Sequence, residues 1–117
     1  MPNYTDVVWD HGVAANAAAA LHRAAYEVEQ AAADGVAVSQ LARAAWFGSH
    51  RAAFDLRREY LAGQARELAA DCRFAAAAIM AADQRAREEQ ARREREREEW
   101  EREQEEEERR RRARSNP

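Results

Sequence analysis

Val38-Ser39-Gln40-Leu41-Ala42-Arg43-Ala44-Ala45-Trp46-Phe47-Gly48-Ser49-His50-Arg51-Ala52-Ala53-Phe54 is the stretch that decides the fold. Val38, Leu41, Ala42 and Ala45 recur at three- and four-residue steps, the spacing that keeps side chains on one face of a helix. Gly48 adopts positive φ at no steric cost, and the Ser49 hydroxyl can accept hydrogen bonds from the first free N–H groups of a new helix. The stretch therefore reads as helix, tight turn over 46–49, helix.

Upstream, Ala14, Ala18, Leu21, Ala25, Val28 and Ala32 step by alternating fours and threes, so helix one is expected over about 6–45. Asp34-Gly35 weakens it locally, and a fray or kink is expected there. Downstream, Phe54, Leu61, Ala65, Leu68, Cys72, Ala75, Ile79, Ala82 and Ala86 mark helix two from about 50, in unbroken heptad register from Leu61 on. Gly63 lies off that seam and costs about 1 kcal/mol of helix stability relative to alanine, which a close helix crossing would tolerate. Prolines occupy only positions 2 and 117, so nothing between them breaks a helix. The expected fold is all-α: an antiparallel two-helix hairpin over 4–86 that pairs into a four-helix bundle.

The composition sets the scale of that hairpin. A chain of 117 residues with a formal net charge of −3 forms one small domain. Thirty of its hydrophobic residues are Ala, and nearly all the larger ones precede residue 82. Such a hairpin covers one face of each helix, while ordering its residues costs on the order of 1.5 kcal/mol each. A partner surface is expected to supply the missing burial. The final 36 residues hold 25 charged ones, with Trp100 the sole large apolar side chain. Their order favours helix over disorder: Glu precedes Arg by four residues at Glu88/Arg92, Glu89/Arg93, Glu98/Arg102 and from Glu105/Arg109 to Glu108/Arg112. Each such pair contributes about 0.2–0.5 kcal/mol. Residues 87–117 are accordingly expected to extend helix two as a charged helix, solvated on all sides and fraying at Ser115-Asn116-Pro117. Helix two and this extension would reach roughly 95 Å at about 1.5 Å per residue.

Several function classes find no support. There is no apolar run of about 18 residues and no basic segment followed by an apolar one at the N-terminus, so neither membrane insertion nor a cleaved signal peptide is expected. His11, His22 and His50 lack the spacing that places two imidazoles on a metal, and no P-loop or Gly-x-Ser-x-Gly is present. The chain is expected to be no enzyme and to hold no cofactor or metal. Cys72, on the seam, behaves as a small hydrophobe. Glu105 to Glu108 sit one helical turn before Arg109 to Arg114 and neutralise them, so no nucleic-acid contact is expected. The absence of Lys beside 19 Arg reflects GC-rich coding together with the alanine excess. Trp100, an indole in a polyelectrolyte helix, is a candidate docking residue for a partner.

Trp46-Phe47-Gly48, set between two amphipathic helices, with Asp34-Gly35 before it and Ser49-His50-Arg51-Ala52-Ala53-Phe54 after it, resembles the Trp-x-Gly superfamily of small type VII (ESX) secretion substrates, the early-secreted-antigen-like proteins. The resemblance covers roughly residues 4 to 86. It implies a turn formed by Trp46 and Gly48, and a hairpin that pairs with itself or with a related hairpin, including the N-terminal hairpin of a larger effector. It also implies synthesis in the cytoplasm and export, without a cleaved signal, by a machine driven by a membrane-embedded ATPase that the hairpin meets through its pair. The expected bundle or partner interface is Leu21, Val28, Leu41, Phe54, Leu61, Leu68, Cys72 and Ile79. The chain departs from the family pattern where the export signal Tyr-x-x-x-Asp/Glu belongs: Tyr4, Tyr26 and Tyr60 are followed at that spacing by Val8, Gln30 and Gln64, and Trp100 by Gln104. Export on a signal-bearing partner is the corresponding expectation. The alternative reading of the residues is an intracellular coiled-coil docking protein with a charged helical spacer.

Overall fold

The computed structural model describes residues 5–45 and 50–115. It consists of two helices, α1 over His11–Ala45 and α2 over His50–Ser115, with no strand among the described residues. Trp46 and Gly48, the expected turn residues, lie outside the described residues. Two compact units divide the chain. One is the hairpin of His11–Ala81; the other joins the N-terminal segment through Asp10 to α2 from Ala82 on.

Within the hairpin unit the helices run antiparallel: Glu29 is ion-paired with Arg73, Gly35 faces Arg58, and Arg43 is paired with Asp55 at 3.1 Å. The buried residues are small, with Ala14, Ala18, Ala25, Ala69 and Ala76 forming the core together with Ser39. Alanine on both sides of the contact lets two helix axes approach toward the lower end of the roughly 8–10 Å range. The α1 stripe expected from the sequence faces α2, since Ala14, Ala18 and Ala25 are buried and Leu21, Val28 and Ala32 half-buried. The α2 seam differs from expectation. Ala65, Cys72, Ala75 and Ile79 are covered as expected, but Leu61 and Leu68 are exposed, and the residue after each, Ala62 and Ala69, is covered in its place, with Ala76 buried a heptad further on. Close packing selects the alanines and turns the leucines to the flank.

No interruption occurs at Asp34-Gly35, where α1 is continuous. A Cβ on Gly35 would come within 2.8 Å of the Arg58 guanidinium, so this glycine makes room for a seam arginine. The Ser39 hydroxyl donates to the Gly35 carbonyl at 2.8 Å, satisfying its own polar group inside the helix. Gly63 is different. A Cβ there would meet only the Arg66 guanidinium, at 4.0 Å, so the expected close crossing is not at this position.

In the other unit, residues 5–10 are not helical, against the expected start of helix one near 6. They lie along α2, and the hydrogen bonds explain why a non-helical backbone is held there. The Val7 N–H donates to Gln90 Oε1 at 2.8 Å, and Gln90 Nε2 donates to Asp6 Oδ1 at 2.9 Å. Arg93 donates to the Thr5 carbonyl at 3.0 Å, and the Trp9 indole N–H to Asp83 Oδ1 at 2.9 Å. Asp83, buried at 5 % exposure, also accepts from Arg87 at 3.0 Å. The charged extension is therefore not solvated on all sides: cover reaches Trp100, and only residues 101–115 are exposed throughout.

Candidate pairing surface

The hairpin has two unlike sides, because α2 presents different residues on the two flanks of its alanine seam. On one flank the Arg43–Asp55 and Glu29–Arg73 ion pairs bridge the helices. On the other, Leu61 and Leu68 recur one heptad apart and stay 50 % and 52 % exposed. Beside them Val28, Ala31 and Ala32 of α1 and Ala62 and Ala65 of α2 complete an open groove of about 540 Å³, rimmed by Arg58, Gln64, Glu67 and Asp71. Its floor is apolar and its rim carries both signs of charge. Such a groove can receive another amphipathic helix; a hydrophobic helix face left uncovered is the usual mark of an interaction site.

The expected interface residues divide accordingly. Leu61, Leu68 and Val28 meet in the groove. Leu21, Phe54, Cys72 and Ile79 are half-buried, with the Cys72 thiol free. Leu41 is 76 % exposed and lies outside both the core and this groove. Trp100 is half-buried at the last covered position of α2. What the sequence reading missed is the cluster of Asp6, Trp9, Asp83, Gln90 and Arg93 that fastens residues 5–10 to α2. The available signal was Gln90 and Arg93 at three-residue spacing in continuation of Asp83 and Ala86. Heptad positions filled by polar residues suit the hydrogen-bonding groups of a non-helical backbone better than an apolar helix.

The charged helix is stabilised from within. Glu89 accepts from Arg92 Nε at 3.0 Å and from Arg93 Nε at 2.9 Å. Those hydrogen bonds, first from Arg92 and then from Arg93, hold its carboxyl well below the usual range, at about 2. The Arg92 guanidinium is raised in turn by its hydrogen bonds to Glu89 and Glu96. Further along, Arg110 pairs with Glu106, Arg111 with Glu107 and Arg112 with Glu108, as the four-residue spacing predicts. Among the described residues no group of three His, Cys, Asp or Glu side chains is placed to hold a metal ion, and no helix is long and apolar enough to cross a membrane. Compared with protein-family models, curated proteins and solved structures, the chain matches none of them.

Proposed function

We propose that this chain is a non-enzymatic helical-hairpin component of type VII secretion, acting as a paired export substrate or as the small partner that carries a larger effector to the machine. The observation that carries the pairing is the groove of Val28, Leu61 and Leu68, left open beside a core made of alanine. Among the described residues no side chain larger than alanine is fully buried, so a second hairpin laid on this groove would add apolar burial to them. The assignment to type VII secretion rests on Trp46-Phe47-Gly48 in its helical context. Export would need no cleaved signal and, without Tyr-x-x-x-Asp/Glu, would proceed on a signal-bearing partner.

Two measurements test this reading. Replacing Leu61 and Leu68 by Asp should abolish complex formation while circular dichroism retains the helix content; an unchanged complex would remove the groove from the interface. Tagged chain in its native host should appear in culture filtrate only when the secretion ATPase is present, with a cytosolic marker reporting lysis. Strict retention in the cell would favour the second reading, an intracellular docking protein. That reading draws on residues 101–115, where α2 continues as a helix exposed throughout and rich in Glu and Arg.

A further inference from the structure

We infer that the strip of α2 covered by residues 5–10 is a docking site for a non-helical peptide segment of a partner protein, and that residues 5–10 are its built-in competitor. The site lies wholly in the unit that joins the N-terminal segment to α2 from Ala82 on, and none of its residues lines the groove. Three side chains of α2 read the segment. Asp83 accepts from the Trp9 indole, Gln90 accepts from the Val7 N–H and donates to Asp6, and Arg93 donates to the Thr5 carbonyl. Each reader is also held from one turn away on α2 itself. Arg87 donates to Asp83 at 3.0 Å, Gln90 to Glu94 at 2.9 Å and Arg93 to Glu89 at 2.9 Å. The strip is thus organised by α2 alone and stays in place when the segment leaves, which lowers the cost of taking a ligand.

The segment is the loosely held half. Val8 is 99 % exposed and Trp9 39 %, and Thr5, Asp6 and Asp10 are exposed as well, so polar contacts with little apolar burial fix it. Segments held in that way open locally at low cost. Two of the contacts go to main-chain groups that any peptide offers, at Val7 and Thr5, while those to Asp6 and Trp9 set the choice of sequence. Arg97, 3.8 Å from Asp6, adds to the preference for a carboxylate there. From Trp9 to Thr5 the segment passes from Asp83 to Arg93, about 15 Å of α2, whereas a helix of that stretch would span only about 6 Å. The partner segment that fits is therefore non-helical, runs opposite to α2 and carries a carboxylate three residues before an indole.

The test uses the full chain and a fluorescently labelled peptide with the sequence of residues 5–10, titrated to millimolar concentration, with circular dichroism to verify folding. Asp6→Ala with Trp9→Ala loosens the resident segment and should tighten peptide binding about tenfold or more over the wild-type chain, because the site then stands open for more of the time. Adding Gln90→Ala with Arg93→Ala to that variant should return binding to the wild-type level or below. A peptide with alanine in place of both its Asp6 and its Trp9 should bind the loosened chain about tenfold more weakly. A loosened chain that binds the peptide no more tightly than wild type would overturn the competitor role. Binding that survives the loss of Gln90 and Arg93, or that treats both peptides alike, would overturn the site.

Discussion

The indole N–H of Trp9 donates to the Asp83 carboxylate at 2.9 Å, joining residues 74 positions apart. Asp83 is buried and takes a second hydrogen bond from Arg87 one helical turn along α2. Trp9 thereby fastens the N-terminal segment to α2 at the first turn beyond the hairpin unit. A hydrogen bond to a charged group contributes about 1.5–3 kcal/mol when its partner is well buried.

Trp9→Phe keeps the aromatic body and removes only the donor. The variant should lose about 1–2 kcal/mol of stability in urea unfolding. The Val7 amide, which donates to Gln90, should exchange faster with solvent, and hydrogen exchange of the whole chain reads this directly. An unchanged exchange rate at Val7 would show that the segment is held without Trp9.

Gly35 on α1 and Gly63 on α2 should respond unequally to alanine. Gly63→Ala brings its methyl group no closer than 4.0 Å to the Arg66 guanidinium and should raise stability by about 1 kcal/mol, through helix propensity. Gly35→Ala must displace the Arg58 guanidinium and should gain less. Thermal unfolding by circular dichroism compares them, and an equal gain would mean that Arg58 moves aside without cost.

Ala69→Leu or Ala76→Leu should destabilise the hairpin by about 1–3 kcal/mol, because extra methyl groups force apart helices packed through alanine. Leu68→Ala, on the flank, should change unfolding of dilute protein far less. A large loss from Leu68→Ala under those conditions would place it in the intrachain core.

Glu89 sets an acid limit on the charged helix. Its carboxyl titrates at about 2 in the folded chain, below its ordinary value of 4.5. A depressed folded value means that its stabilisation is complete above the ordinary value and is lost as pH falls from there to about 2. The Glu89 side-chain carbon resonance followed by NMR from neutral to strongly acid pH should show this late midpoint. Glu89→Gln should remove that part of the pH dependence of α2 stability. A midpoint near 4.5 would show that the Arg92 and Arg93 hydrogen bonds do not persist in solution.

The sequence by itself determined the two helices and the small size of what lies between them. The three- and four-residue steps from Ala14 to Ala32 reappear as the buried stripe of α1, and the Glu-to-Arg spacing reappears as ion pairs along the end of α2. Both are local: periodicity fixes a helix face, and pairs four residues apart meet wherever a helix forms. Only the tertiary structure decided which of two adjacent α2 stripes faces α1. Leu61 and Leu68 share the heptad period with Ala62 and Ala69, so spacing cannot separate them. Close approach against the alanines of α1 does, leaving the larger stripe for a partner. Tertiary structure also decided that residues 5–10 abandon helix for a path along Asp83, Gln90 and Arg93. Those hydrogen bonds join groups more than seventy residues apart, and no local pattern encodes the separation that folding closes.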